Sequence, residues 1–83
     1  MKYRHIELKK IFARLNNAYK YKGTPLEIDA VKVTFAVFKS STAYKRSIKG
    51  RIAASKAIDI DSLRIAVMQC AKEMTIYYKR FKD

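Results

Sequence analysis

The sequence predicts a mainly α-helical fold, a compact bundle of three to four helices in a single basic domain over residues 1–83. Three observations carry this. Two glycines and one proline in 83 residues leave few tight turns, which disfavours a strand-rich fold. A hydrophobic content of 49% supplies enough apolar material for one core. Apolar residues also recur at three- and four-residue spacing along most of the chain.

The first element is an amphipathic helix over residues 3–21. Leu8, Ile11, Phe12, Leu15, Ala18 and Tyr19 share one face, Lys9, Lys10, Arg14 and Lys20 project elsewhere, and Gly23 is placed to stop it. Thr24-Pro25-Leu26-Glu27 then has the form of a capping box, with proline suited to the first turn. The helix it opens carries Leu26, Ala30, Val33 and Val37 in one apolar row and Ile28, Val31, Phe35 and Phe38 in another. So wide an apolar face predicts a central position in the fold. Asp29, Lys32, Ala36 and Lys39 form its polar stripe. The same stretch supports an alternative, because Val31 to Val37 also alternates with period two and is rich in β-branched residues. That alternative is an α fold with a short strand at 31–37.

Ser40-Ser41-Thr42 reads as a hinge or fresh cap. A weaker helix follows from Ala43 to about Ala57, with Tyr44, Ile48 and Ile52 turned to the core and Gly50 as its weak point. Asp59 or Asp61 caps the last helix. From Ser62 to Lys82, Leu63, Val67, Cys70, Met74, Tyr77 and Phe81 are spaced by 4, 3, 4, 3 and 4, a heptad seam. That seam suits core packing or a homodimer, and a chain this short has difficulty covering all its apolar residues alone.

Charge dominates the composition. Nineteen Lys and Arg stand against seven Asp and Glu, a net +12. Such an imbalance repels itself, and a polyanion relieves it while releasing counterions. Between Ala30 and Ile58 the charged residues are Lys32, Lys39, Lys45, Arg46, Lys49, Arg51 and Lys56, and no acid interrupts them. Hydroxyls at Ser40, Ser41, Thr42, Ser47 and Ser55 would add neutral phosphate donors. Tyrosines interleave with cations at Tyr19 to Lys22, Tyr44 to Arg46 and Tyr77 to Arg80, the pairing a single-strand binder uses for stacking. Tyr21 and Tyr78 fit that exposed role best.

Catalytic chemistry has little to draw on. Gly23 and Gly50 are isolated, so no phosphate-cradling loop occurs. His5 has no nucleophile beside it in sequence and reads as an exposed helix residue. Cys70 sits in the seam and reads as a buried small apolar group. One Cys and one His cannot form a structural zinc site, and capping explains Asp59 and Asp61 without a metal. No cofactor, metal or small-molecule substrate is expected. No stretch of about 18 uncharged apolar residues occurs, so no membrane partner is expected. The charged N-terminus and the lone cysteine suit a cytoplasmic location.

Phe35 to Gly50 (Phe-Ala-Val-Phe-Lys-Ser-Ser-Thr-Ala-Tyr-Lys-Arg-Ser-Ile-Lys-Gly) resembles a helix-turn-helix, with Ser41 and Thr42 opening a basic helix but without the turn glycine. Val31 to Met74 resembles a ribbon-helix-helix repressor. That resemblance implies a dimer whose ribbon enters the major groove, with Lys32 and Thr34 facing bases. Neither covers more than about half the chain, neither motif is specific, and no family is assigned.

The expected function is therefore a non-enzymatic nucleic-acid-binding protein, DNA ahead of RNA, in an accessory role of the kind found in phages and mobile elements. Lys39, Lys45, Arg46, Lys49, Arg51 and Lys56 would contact phosphates, and Lys79, Arg80 and Lys82 would add a second patch. The alternative is a helical interaction or inhibitor protein that binds an acidic partner surface. A membrane-surface role ranks last, since the apolar helix faces are needed for the core.

Overall fold

The computed structural model describes residues 6–80. They form five α-helices joined by short connections: α1 Ile6–Ala18, α2 Glu27–Lys39, α3 Thr42–Arg46, α4 Ile48–Ala54 and α5 Ile60–Arg80. A 3-10 turn, Tyr19–Tyr21, extends α1. The mainly α bundle expected from composition and spacing is the fold observed. Residues 31–37 lie inside α2, so the strand alternative and the ribbon-helix-helix likeness are both overturned. Helical hydrogen bonding won over β propensity there because no partner strand exists among the described residues.

The long α5 is the organising element, and α1, α2, α3 and α4 all pack against it. Its inward residues Leu63, Ala66, Val67, Cys70 and Met74 are buried. They meet Leu8, Ile11, Leu15 and Ala18 of α1, Val31 and Phe38 of α2, Ala43 of α3 and Ala54 of α4 in one core. The seam read from the sequence is thus the inner face of this chain's own bundle. Leu63, Val67, Cys70 and Met74 are covered by this chain's own helices, so a homodimer through them would require the bundle to open. Tyr77 lies outside the described side chains and Phe81 outside the described residues.

The position of α2 differs from expectation. It buries Val31, Thr34 and Phe38, while Leu26, Ile28 and Val33 stay exposed, so it flanks the bundle and α5 takes the centre. Thr34 is tolerated inside because its hydroxyl donates to the Ala30 carbonyl at 2.8 Å. Phe38 receives the edge of Tyr44, with ring centroids 5.0 Å apart.

The expected helix from Ala43 to Ala57 is broken at Ser47, which has extended backbone geometry and starts α4. Ser47 is buried and accepts the Gly50 amide at 2.9 Å. The break rotates the register. Gly50 and Ala54 turn inward, while Ile48 (62% exposed) and Ile52 (55% exposed) turn outward, contrary to the expected inward pair. Gly50 makes this possible. A Cβ built on it would lie 2.8 Å from the Cys70 Cβ and 2.8 Å from the Ser47 Oγ, so α4 presses its backbone directly onto α5. Gly23 has φ +79°, which permits the turn between α1 and α2.

Two outcomes follow for the α4–α5 contact. Gly50→Ala gains up to about 1 kcal/mol of helix propensity but incurs about 1 to 3 kcal/mol of overpacking. With the full gain the net expectation is a loss of up to about 2 kcal/mol, a melting temperature lower by up to roughly 15 °C. Thermal melting of the variant checks it, and an increase in melting temperature refutes the close approach. Second, burial pushes the Cys70 thiol up to about 11, against the opposing hydrogen bond from Ser47. The unfolded thiol ionises first as pH rises, so the stabilisation from a buried neutral thiol is intact below pH 9 and is lost between pH 9 and 11. It amounts to about 2 to 3 kcal/mol at most. Urea titrations from pH 8 to 11 should fall more steeply for the wild type than for Cys70→Ala, and equal slopes would exclude a buried thiol.

Candidate nucleic-acid interface

The basic residues of the central segment occupy consecutive helices. Lys32 and Lys39 lie on α2, Lys45 and Arg46 in the last turn of α3, Lys49 and Arg51 on α4, and Lys56 just beyond it; all are exposed. Their exposure follows from the helix register, because Ala43, Ser47, Gly50 and Ala54 take the inward positions. Lys39 holds its ammonium 4.6 Å from the Phe35 ring centroid. Arg51 folds back along α4, its Nε donating to the Ser47 carbonyl at 3.2 Å. Of the second patch, Lys79 and Arg80 lie in the end of α5 with side chains outside those described. Lys82, like His5, lies outside the described residues.

The acids explain why these cations stay unneutralised. Glu7 of α1 accepts the Thr42 amide on both carboxylate oxygens at 3.1 Å, at the start of α3. Glu73 of α5 accepts the Lys49 amide at 3.3 Å, at the start of α4. Glu27 accepts the Gly23 amide at 3.0 Å and the Ile60 amide at 3.3 Å, at the start of α5. Three glutamates on three helices thus satisfy free amides that open other helices, where negative charge is favoured. Asp59 caps α5 by accepting the Ser62 amide at 2.9 Å and hydroxyl at 2.6 Å, and those bonds hold its carboxyl below the usual range. One ion pair occurs among the described residues, Lys22 to Asp61 at 2.7 Å. Lys22 and the Tyr19 hydroxyl, which also donates to Asp61, hold that carboxyl below the usual carboxylate range.

The expected hydroxyl donors are mostly engaged. Ser41 and Ser47 are buried helix caps, and Ser40 and Ser55 donate to the carbonyls of Ala36 and Ile52 at 3.0 and 2.6 Å. These short side chains compete for local backbone partners. Thr42 alone of the five is exposed without such a bond to a carbonyl.

The tyrosines whose side chains are described are engaged too. Tyr19 is half-buried, with Lys22 and Arg64 at 5.3 and 5.7 Å from its ring centroid. Tyr44 packs on Phe38. Tyr21 keeps the exposure expected of it in part, half-buried beneath Lys20 at 5.2 Å, at the edge of an open groove that includes Arg14, Asn17, Asp29 and Val33. Tyr78 lies outside the described side chains. Sequence reading placed Arg14 on the outward side of the first helix but missed this groove, because its walls come from two helices whose pairing no local pattern reveals.

The helix-turn-helix likeness is not met in geometry. The helix after the Ser40–Ser41 turn has five residues, too short to span a groove before Ser47 redirects the chain. No group of three potential metal ligands occurs among the described residues, and no described helix is long and apolar enough to cross a membrane. Comparison with protein-family models, with curated proteins and with solved structures gave no match.

Tyr19 is therefore a structural tyrosine. Tyr19→Phe should lower stability by about 1 kcal/mol through the loss of one hydrogen bond to a carboxylate and leave polyanion affinity unchanged. Urea denaturation and filter binding of the same preparation check both halves.

Proposed function

We propose that this chain is a small non-enzymatic nucleic-acid-binding protein, with DNA favoured over RNA. The observation that carries this reading is an acid-free run whose cations are all exposed, in a chain that spends its glutamates on backbone amides. Lys39, Lys45, Arg46, Lys49, Arg51 and Lys56 supply the phosphate contacts, and Lys79, Arg80 and Lys82 supply a second patch. Lysines without carboxylate partners surrender no ion pair when they meet phosphate, so counterion release is gained at little opposing cost. The chain's size suits an accessory role rather than a catalytic one.

Ile48 and Ile52, exposed between Lys49, Arg51 and Lys56, favour one second reading. A basic face with an apolar centre also fits an acidic protein surface that offers an apolar patch. Salt separates the two. Six phosphate contacts on duplex DNA give a slope of log K against log salt of about −5, a loss of about 10³-fold between 50 and 200 mM. An interface centred on the isoleucines loses far less.

The decisive variant is Lys45→Glu/Arg46→Glu/Lys49→Glu. It should nearly abolish binding to DNA and RNA and reduce the salt slope by about 2 to 3. Each exposed substitution should change stability by about 0.5 kcal/mol or less. Salt-titrated anisotropy with matched single- and double-stranded DNA and RNA measures this. Wild-type affinity in the triple variant would transfer the assignment to the protein-partner reading.

A further inference from the structure

The solvent-facing side of α5 carries a second apolar row. Leu63, Val67, Cys70 and Met74 point into the bundle, and on a 100° wheel the opposite side holds Ile65, Met68, Lys72 and Ile76. Ile65 is 56% exposed, Met68 42% and Ile76 57%. Their intervals are 3, 4 and 4, close to the heptad spacing of a helix pair. A row this regular on the outer face of the longest helix contributes nothing to the chain's own core.

We propose that this face pairs α5 with α5 of a second copy of the chain, antiparallel about a two-fold axis near Cys70. Charge singles out the occupant. From Ile60 to Ile76 the charged residues are Asp61, Arg64, Lys72 and Glu73, two acids against two bases. In a chain of net +12, this stretch has a formal charge of zero, so a second copy meets less of its own positive field here than elsewhere. The acid-free segment of Ala30 to Ile58 offers no such approach.

Register supplies the second argument. A two-fold contact must be self-complementary. With the axis near residue 70, Ile65 of one copy lies across from Thr75 and Ile76 of the other, and Met68 lies across from Lys72. A shallow, almost wholly apolar hollow lined by Ala71, Lys72, Thr75 and Ile76 occupies the place where the second copy's Met68 arrives. The unbranched Met68 side chain adapts to such a hollow, and the Lys72 methylenes cover it while the ammonium stays in water. The contact closes on itself, so it stops at two chains.

The row from Ile65 to Ile76 spans about 17 Å of helix. That is short of the roughly 800 Å² per partner typical of stable complexes, so the dimer should be concentration-dependent, half-formed at about 10 to 100 μM.

Sedimentation equilibrium from about 1 to 500 μM in moderate salt tests it. The wild type should move from one chain mass to two and stop there. Ile65→Gln/Ile76→Gln, which changes no charge, should stay monomeric with an unchanged circular dichroism spectrum, whereas the Lys45→Glu/Arg46→Glu/Lys49→Glu variant should still dimerise. Orientation is read separately: a mixture of Met68→Cys and Lys72→Cys chains should form an intermolecular disulfide faster than either variant alone. A wild type that is monomeric throughout, growth beyond two chains, undiminished association of the glutamine variant, or fastest crosslinking between identical Met68→Cys chains would each overturn the proposal.

Discussion

The contact of Gly50 with Cys70 sets the geometry of the whole bundle. A glycine on α4 faces the Cβ of a small residue on α5, so the two backbones meet without an intervening side chain. Only small residues can share that contact: Gly50 meets Cys70 and Ser47 there, and Ala54, one turn on along α4, is buried as well. Dispersion and burial at so close an approach compensate for the missing side-chain volume. The price is a helix break, because the chain must turn at Ser47 to bring Gly50 inward. Once Gly50 is inward, Ile48, Lys49 and Ile52 must face water. The exposure of the candidate interface is therefore a consequence of core packing.

The second organising force is the use of carboxylates on backbone amides. A surface ion pair contributes little, often less than about 1 kcal/mol. A carboxylate at a helix N-terminus satisfies donors that have no helical partner and meets the favourable end of the dipole. Glu7, Glu27 and Glu73 are each on a different helix from the one they cap, so they also fix how helices meet. The same bonds hold structure together and withdraw negative charge from the lysines. Fold stability and a residual positive field thus arise from one set of interactions.

Much of this was legible in the sequence. The seam from Leu63 to Met74, the stop at Gly23, the cap at Asp59 and the burial of Cys70 all follow from spacing and residue chemistry, and all are found. The capping box at Thr24 is found in shifted form: the Thr24 hydroxyl accepts the Leu26 amide, while Glu27 reaches the Gly23 amide. What could not be read was which of two faces a helix buries when both are apolar. α2 has two such rows, and only its partners decide that Val31 and Phe38 go in while Ile28 and Val33 stay out. On α4 the error had a specific cause. Isoleucine at four-residue spacing outweighs glycine and alanine on any hydrophobicity scale, yet a close helix pair prefers the small residues. Gly50, read as a weak point for propensity, is the point of closest contact. The candidate cations were legible as a charge run, but their freedom from carboxylates was not, because each capping glutamate lies far from its amide in sequence.

The charge distribution along the chain also has a physical logic beyond any single contact. Repulsion among cations scales with their density, and a helical bundle of this size cannot separate them widely. Placing the acid-free run at exposed positions from α2 to just past α4 keeps its field at the surface, where an anion would meet it. Balancing Ile60 to Ile76 of α5, two acids against two bases, lowers that field along the element every other helix packs against. If α5 carried the run instead, the same repulsion would act at the centre of the bundle, where it would oppose packing most directly. The balanced charge of Ile60 to Ile76 and the exposed cations of α2, α3 and α4 are therefore complementary responses to one constraint: self-repulsion in a chain at +12 opposes compactness least when the charge lies away from core contacts.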